Sequence, residues 1–175
     1  KVVIAPDTLA SLPPRQLHNG LAEAIKMGAT GNADLFCLIE NSNDLLADIE
    51  DIIRLSLSYK MSIVSADPTE KGLRRVLNFG HTVGHAIEAC AAGSLLHGEA
   101  VSLGMLCFAG GGALPRIRAV LEKYSLPTGS DIPREALLEK IQHDKKADGD
   151  TLTVVRVETI GSYRFEQINI QDLEI

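Results

Sequence analysis

The segment LNFGHTVGHAIEAC places polar side chains at helical spacing within an otherwise apolar stretch of the chain. Residues three or four positions apart share one face of an α-helix, and Glu70 and Arg74, which precede this segment, continue that face. A buried polar side chain without a partner costs free energy, so such a stripe favours a binding or catalytic face. Taken singly, each residue is also consistent with a solvated helix surface. The stripe consists of Glu70, Arg74, Asn78, His81 and His85.

Two imidazoles and one carboxylate with an open fourth position form a known type of catalytic zinc site. His81 lies in the stripe, His97 in LLHGEAV lies at the start of another predicted helix, and Glu23 in GLAEAIKMG could supply the carboxylate. His81 and His85 could instead bind the metal together, as the i, i+4 pair of an HExxH helix does, although this chain contains no HExxH. Lys26, one turn after Glu23, is either its intrahelical ion-pair partner or part of the same site.

Helices are predicted to carry most of these residues, because apolar periodicity is combined with helix-start and helix-stop residues. In Asp67-Pro68-Thr69-Glu70, Asp67 suits an N-cap and Glu70 suits the third helical position of a capping box. The pattern predicts helices from Pro14 to Gly28 or Gly31, over 32–41, over 43–66, from Asp67 to about Ala92, from His97 to Gly110, over 115–127 and over 134–147.

Two other segments have the character of strands. VVIAP, residues 2–6, is predicted to form a short buried strand. The segment 151–170 alternates, is rich in β-branched residues and contains a Gly-Ser turn, so it is predicted to form a hairpin. The sequence therefore predicts a mainly α-helical fold with a short N-terminal strand and a small C-terminal β-hairpin.

Composition limits the class of protein. The chain has 175 residues, of which 45% are hydrophobic and 4% aromatic, with no Trp, so one domain with an aliphatic core is expected. A formal charge of −6 argues against a nucleic-acid partner but not against a small anionic ligand. The sequence contains neither a recognisable signal peptide nor a long apolar run, which predicts a protein without membrane spans. Its three cysteines form no close pairs and lie among apolar residues, so we expect buried thiols in a reduced, cytoplasmic protein.

The motifs together resemble 3-dehydroquinate synthase. The resemblance rests on LNFGHTVGHAIE followed by LLHGEAVSLGM, on GLAEAIKMG, on the segment LSYKMSIVSADPTEKGLRRVLNFGHT and on HDKKADGDTLTVVRVETIG. It covers nearly the whole chain but only the C-terminal half of the family. It implies that residues 1–175 form the multi-helical C-terminal domain of that fold, and that the N-terminal NAD-binding domain is absent from this chain.

The resemblance also implies roles for individual residues. It implies a metal, usually zinc with cobalt as the alternative, bound by Glu23, His81 and His97. It implies substrate contacts from Lys26, Lys60, Arg74, Asn78, His85 and Lys145, with Glu70 nearby. Lys146 fits the DKK motif as well as Lys145 does, whereas His18 and His143 match no site position and are expected at the surface.

The activity that the resemblance implies is a phosphorus–oxygen lyase reaction of the shikimate pathway to aromatic amino acids. The family converts 3-deoxy-D-arabino-heptulosonate 7-phosphate to 3-dehydroquinate and phosphate, using and regenerating NAD within one turnover. No GxGxxG follows a predicted strand in this chain, so we expect NAD to be bound mainly by the missing domain. The family pattern further implies a homodimer.

Three alternatives remain open. The chain could belong to a related sugar-phosphate cyclase, to a metal-dependent polyol dehydrogenase, or to a non-catalytic metal-binding remnant. The segment FAGGGALPRIRAVLEKY departs from the family pattern, since the connection after HGEAVSLGM is shorter than the family usually has.

Overall fold

Helices dominate the computed structural model of the chain, which describes residues 2–144 and 151–173. The α-helices are α1 (Pro14–Gly31), α2 (Ala33–Asn41), α3 (Leu45–Ala66), α4 (His81–Ala91), α5 (His97–Phe108), α6 (Ala113–Lys123) and α7 (Arg134–Asp144). Shorter 3-10 helices span Pro6–Ser11, Leu73–Asn78 and Ile170–Asp172, and the strands are β1 (Thr151–Arg156) and β2 (Arg164–Asn169). The predicted mainly α-helical class is confirmed.

The helix α5 lies at the centre of the core. Every residue from Gly98 to Met105 is buried, as expected for a helix that is apolar on all sides. Helices α1 and α4 pack against it, α2 and α3 pack on α1, and α7 packs on the outer side of α4. The N-termini of α4 and α5 consequently lie beside the middle of α1, which is where the candidate metal ligands are found.

The single helix predicted from Asp67 to Ala92 is wrong. A turn follows α3, the 3-10 helix Leu73–Asn78 comes next, and α4 begins only at His81. Glu70 and Gly80 have left-handed backbone, with φ of 57° and 77°, which interrupts an α-helix at both positions. A Cβ at Gly80 would lie 2.7 Å from the backbone nitrogen of Met105, so the close crossing with α5 requires glycine there.

The predicted capping box at Asp67 is also wrong, although Asp67 does bind backbone donors. Its carboxylate accepts hydrogen bonds from the backbone N–H groups of Lys71, Gly72 and Arg74, at 3.2, 2.8 and 3.0 Å. These donors belong to a loop and to the start of the 3-10 helix, and Glu70 points instead towards Asn78. Asp67 therefore stabilises the turn between α3 and the 3-10 helix.

The predicted N-terminal strand is not formed. Residues 2–5 have no regular secondary structure, and the side chains of Val2 and Val3 are exposed. A strand needs a hydrogen-bonded neighbour, and within residues 2–144 and 151–173 the only sheet is the C-terminal hairpin, which pairs with itself.

The predicted hairpin is confirmed. β1 and β2 are antiparallel, with a register that runs from Thr151 opposite Asn169 to Arg156 opposite Arg164. The triple glycine after α5 meets the end of this hairpin, since the backbone N–H groups of Gly110 and Ala113 donate to the carbonyls of Val157 and Glu158. Gly111 is left-handed, and a Cβ there would lie 2.9 Å from the Glu158 carbonyl oxygen, so the turn requires glycine.

Three surface expectations have mixed outcomes. The prediction that all three thiols are buried is wrong for Cys37, which is exposed on the outer face of α2, whereas Cys90 and Cys107 are half-buried. His18 is half-buried with its ring against Tyr124, whereas His143 is exposed as predicted.

None of the helices in the described part of the chain combines the length and hydrophobicity needed to cross a membrane.

Candidate metal and substrate site

Three elements bring Glu23, His81 and His97 together. Glu23 lies in the middle of α1, His81 is the first residue of α4, and His97 is the first residue of α5. The Nε2 atoms of His81 and His97 each lie 3.5 Å from the Oε1 atom of Glu23. The three residues predicted to bind the metal therefore converge, although they are far apart in the sequence.

The donor set fits a divalent metal ion such as zinc. The Oε1 atom of Glu23 is buried and has no hydrogen-bond partner among the described residues, which is a costly state for a carboxylate oxygen. Zinc binds nitrogen and oxygen ligands at about 2.1 Å, so neighbouring ligands of a tetrahedral ion lie about 3.4 Å apart. The observed separations of 3.5 Å agree with this spacing.

The other ring nitrogen of each histidine lies within hydrogen-bond distance of a second group. The Nδ1 atom of His81 lies 3.2 Å from the backbone carbonyl of Phe79, and that of His97 lies 3.0 Å from the Oε2 atom of Glu88. A carbonyl only accepts, so the proton of neutral His81 lies on Nδ1 and the Nε2 lone pair faces Glu23. Metal-binding histidines are commonly held in this way by a second set of hydrogen bonds.

His85 offers a second possible ligand set. Donor atoms of His81, His85 and His97 all lie within 4.8 Å of one another. His85 is exposed on the outer side of this cluster, whereas Glu23 supplies a negative charge and an oxygen that lacks a partner. We favour the set with Glu23, because a divalent cation is better neutralised by a carboxylate than by a third neutral ring.

Lys26 contacts the same carboxylate from the opposite side. Its Nζ atom donates to the Oε2 atom of Glu23 at 2.6 Å, and its side chain is 5% exposed. Burial by itself raises the pKa of Glu23, but the charge of Lys26 and its hydrogen bond hold that pKa below its ordinary value. Burial lowers the pKa of Lys26, which the pairing with Glu23 opposes. Lys26 is therefore the intrahelical ion-pair partner of Glu23, and it also lines the adjoining cleft, whereas a role in binding stays a prediction.

His81 is held in the neutral form that a metal ligand requires. Burial lowers its pKa to about 4, and the positive charge of Lys26 acts in the same direction. The negative charge of Glu23 and the contact with the Phe79 carbonyl raise this pKa, but they do not offset the effect of burial. A neutral imidazole with its lone pair free is the form that binds zinc.

A cleft of about 210 Å³ adjoins these residues and collects most of the predicted substrate contacts. Glu70 organises one wall, since its carboxylate accepts a hydrogen bond of 2.8 Å from Asn78 and lies 3.7 Å from the Nε atom of Arg74. Lys60 is exposed at the end of α3. The predicted residues that line the cleft are Glu23, Lys26, Lys60, Glu70, Arg74, Asn78 and His81.

The residues of the stripe lie near one another, as the sequence predicted, but a different geometry brings them together. Glu70 lies in a turn, Arg74 and Asn78 lie in a 3-10 helix, and His81 begins α4, so no single helix aligns them. They meet because the chain bends at Gly80 around α5. Lys145 and Lys146 lie outside the described residues.

Sequence reasoning missed the residues that fix the start of α5. Arg15 donates to both carboxylate oxygens of Glu99 at 2.6 and 2.7 Å, and Asn19 accepts from the backbone N–H of Gly98 at 2.6 Å. The available signal was spacing, because Arg15, Asn19 and Glu23 lie four residues apart on one face of α1. Glu99 occupies the third helical position, where it accepts from the N–H of Leu96.

Comparison with known proteins identifies the family. Residues 20–147 match the family described as 3-dehydroquinate synthase C-terminal. The 3-dehydroquinate synthase of Latilactobacillus sakei subsp. sakei is 43% identical over 169 residues, covering 91% of this chain and 48% of that protein. The chain belongs to the 3-dehydroquinate synthase family. The 3-dehydroquinate synthase of Enterococcus faecalis is 36% identical over 186 residues, covering 98% of this chain and 52% of that protein.

The chain spans about half the length of these 3-dehydroquinate synthases. The alignment with the Lactococcus lactis subsp. cremoris 3-dehydroquinate synthase extends over 189 positions, more than the 175 residues of this chain. Such alignments therefore contain gaps, in keeping with the shortened segment noted in the sequence.

Solved structures show the same fold. ValA, the 2-epi-5-epi-valiolone synthase of Streptomyces hygroscopicus subsp. jinggangensis, has a TM-score of 0.86 at 24% identity, covering 97% of this chain and 52% of its own. That structure has NAD+ and Zn2+ bound. A 2-deoxy-scyllo-inosose synthase, complexed with carbaglucose-6-phosphate, NAD+ and Co2+, has a TM-score of 0.77 at 23% identity, covering 95% of this chain and 53% of its own. The 3-dehydroquinate synthase-like fold is thereby confirmed.

Proposed function

We propose that this chain is the metal- and substrate-binding half of a 3-dehydroquinate synthase, which converts 3-deoxy-D-arabino-heptulosonate 7-phosphate to 3-dehydroquinate and phosphate. One observation carries the proposal. The unpartnered Oε1 atom of Glu23 faces the Nε2 atoms of His81 and His97, at the edge of a cleft that also holds Lys26, Lys60 and Arg74. A divalent metal would satisfy the carboxylate and the two imidazoles, and an anionic ligand would satisfy the three cations.

The metal would be held by Glu23, His81 and His97, with zinc as our first choice and cobalt as the alternative. Bound there, such an ion would polarise a substrate hydroxyl and favour its oxidation. The chain itself keeps the ligands ready, because His81 is neutral and the Nδ1 atoms of both histidines have partners on the far side of the rings. Glu23 is held ionised by Lys26.

The substrate carries a carboxylate and a phosphate, so it requires converging cations. Arg74 and Lys60 are placed to bind these groups, and guanidinium groups suit planar, two-point recognition of such anions. Asn78 and His85 would contact hydroxyls, and Glu70 would hold Arg74 and Asn78 in position. Lys26 would bind a substrate oxygen next to the metal, and Lys145 is proposed as a further contact on the motif alone.

Hydride transfer would need NAD, which we propose is bound mainly by an N-terminal domain outside this chain. The length of the relatives supports this, since each 3-dehydroquinate synthase compared above is about twice as long as the matched region. We expect the chain alone to bind NAD weakly and to be inactive without that domain. A cytoplasmic homodimer, as the family pattern implies, also stays a prediction.

A related sugar-phosphate cyclase is the second candidate. The structural likeness to the valiolone and scyllo-inosose synthases favours it at the level of fold. The sequence identity of 43% to a 3-dehydroquinate synthase supports the first proposal more strongly. A polyol dehydrogenase would have no use for Lys60 and Arg74, whose charges suit an anionic substrate.

Titration calorimetry of the zinc-loaded chain with 3-deoxy-D-arabino-heptulosonate 7-phosphate tests the proposal. We expect saturable binding that Arg74→Met weakens by about 10- to 100-fold, because a charged hydrogen bond is lost. The control is Arg54→Met, which removes an exposed arginine of α3 and should leave binding unchanged. Absence of binding, tighter binding of another sugar phosphate, or an equal loss in the control would refute the assignment.

A further inference from the structure

Glu88, in the segment LNFGHTVGHAIEAC, contacts a proposed metal ligand but has no assigned function so far. It lies on α4, seven residues after His81, and its Oε2 atom lies 3.0 Å from the Nδ1 atom of His97. We propose that Glu88 is a positioning residue, which fixes the ring of His97 so that Nε2 faces Glu23. The inference rests on the metal site proposed above.

His97 needs such a partner because packing alone does not distinguish the two orientations of its ring that differ by a flip. Its side chain is 42% exposed, and the centroids of the His81 and His85 rings lie 5.4 and 5.8 Å from that of its own ring. Among the described residues, Glu88 is the only hydrogen-bond partner of the Nδ1 atom of His97. Rotation of the ring would move Nε2 away from Glu23, and the three ligands would no longer converge.

The two histidines are held in different ways. His81 is 17% exposed and its Nδ1 atom donates to the backbone carbonyl of Phe79, so its orientation follows from the turn at Gly80. His97 depends on a side chain from a neighbouring helix, which a single substitution removes without changing the backbone. The structure therefore allows the orientation of one ligand to be tested apart from the fold.

Glu88 should also influence how strongly His97 binds a metal ion. A carboxylate that accepts from Nδ1–H keeps the proton on that atom and makes Nε2 a better donor to a metal. As a surface ion pair alone, a contact in which Glu88 is 40% exposed would contribute little to folding. A positioning role therefore predicts a change in metal affinity without a matching change in the stability of the metal-free chain.

The first experiment measures zinc affinity by competition with a chelating dye. We expect Glu88→Ala to weaken zinc binding by about 10- to 100-fold, and Glu88→Gln to have a smaller effect because its amide oxygen still accepts a hydrogen bond from Nδ1–H. The matched control is Glu50→Gln, the same chemical change at an exposed position of α3. Urea unfolding of the metal-free variants should coincide with that of the parent chain.

The second experiment measures the tautomer of His97 from its ring ¹⁵N shifts in the metal-free chain. We expect the proton on Nδ1 in the parent chain and a shift towards Nε2–H in Glu88→Ala. An unchanged zinc affinity, or a lower affinity with an unchanged tautomer, would overturn the proposal. If the parent chain bound no zinc, the metal site itself would be refuted, and the role of Glu88 with it.

Discussion

At the scale of single residues, the two carboxylate oxygens of Glu23 contact different groups. Its Oε2 atom accepts from Lys26, and its Oε1 atom faces the two imidazoles. The arrangement keeps the carboxylate charged in spite of burial, so a metal ion meets an ionised ligand. The same pairing opposes the lowering of the pKa of Lys26 by burial, at the inner end of the cleft where the substrate is proposed to bind.

Glu23→Gln should destabilise the metal-free chain, because Lys26 is left buried without its counter-charge. We expect the free energy of unfolding to fall by about 1 to 3 kcal/mol, below the value for a fully buried pair since Glu23 is 35% exposed. Urea unfolding in the presence of EDTA measures it, with Glu50→Gln as the control. A stability equal to that of the parent chain would show that the pair contributes nothing to folding.

Two of the cysteines, Cys37 and Cys107, should differ in reactivity. Burial raises the pKa of the Cys107 thiol to about 11, whereas Cys37 is exposed. With iodoacetamide at about pH 8, we expect Cys37 to be alkylated first and Cys107 only after unfolding, because the thiolate is the reactive form. Mass spectrometry of the alkylated peptides over time gives the order. Equal rates for the two thiols in the folded chain would contradict the burial of Cys107.

Residue types were more predictable from the sequence than their geometry. Glu23, His81 and His97 were chosen from their chemistry and from motif resemblance, and they do converge. The contact between Glu88 and His97 could not be predicted, because it joins the second half of α4 to the start of α5. Such contacts depend on how two helices pack, which spacing within either helix does not determine.

At the scale of elements, the first turn of α5 is the best-fixed part of the site. Arg15 binds Glu99, Asn19 binds the N–H of Gly98, and the next residue on the same face of α1 is Glu23. Two residues of the proposed metal site, Glu23 on α1 and His97 on α5, are thus aligned by contacts outside that site. We expect disturbance of this contact between helices to weaken metal binding.

Gly98→Ala tests that expectation. Its Cβ would overlap the backbone oxygen of Asn19, so we expect a lower free energy of unfolding and a weaker affinity for zinc. The matched control is Gly20→Ala in α1, where a Cβ meets nothing within 4 Å. Because alanine favours a helix over glycine, the control should be more stable by about 0.5 to 1 kcal/mol with unchanged zinc affinity. Equal behaviour of the two variants would contradict the close contact.

The pairing of Arg15 with Glu99 should make stability depend on pH. The hydrogen bond from Arg15 holds the pKa of Glu99 below its ordinary value near 4.5. A lowered pKa stabilises the fold above that ordinary value, and the contribution is lost as the pH falls through the folded-state value. We therefore expect Arg15→Met to lower the urea midpoint at neutral pH, with the difference shrinking as the pH falls below the ordinary pKa of a glutamate and through the folded-state pKa of Glu99.

Arg54→Met is the control for this pH dependence, because its partner Asp51 is exposed on α3 and the pair should contribute little at any pH. Urea midpoints of the three proteins across the pH range measure the effect. A difference between Arg15→Met and the parent chain that did not change with pH would show that packing, not the ion pair, is lost.

Helices with clear periodicity were predictable, and the bend between α3 and α4 was not. Pro14, Gly31 and the apolar pattern gave the bounds of α1 because local signals decide them. The segment from Asp67 to Gly80 carries good helix-start signals, yet close packing of Gly80 against Met105 imposes a different path. VVIAP has strand propensity, but within the described residues it has no neighbouring strand to pair with.

At the scale of the whole molecule, we propose that this chain supplies one wall of a catalytic site. Lys60, Asn78 and His85 are exposed, although catalysis on a charged sugar benefits from exclusion of water. Because the chain spans about half the length of its relatives, we expect the nucleotide-binding domain to close this side of the cleft. The three proposed metal ligands, by contrast, all lie within the chain, so we expect their site to form without that domain.

The stoichiometry of zinc binding to the purified 175-residue chain tests this account most directly. Equilibrium dialysis should give one zinc per chain, with loss of the ion in His97→Ala. His143→Ala, which removes an exposed histidine of α7, should retain it. No bound zinc in the parent chain, or the same zinc content in His97→Ala, would contradict a metal centre formed by Glu23, His81 and His97.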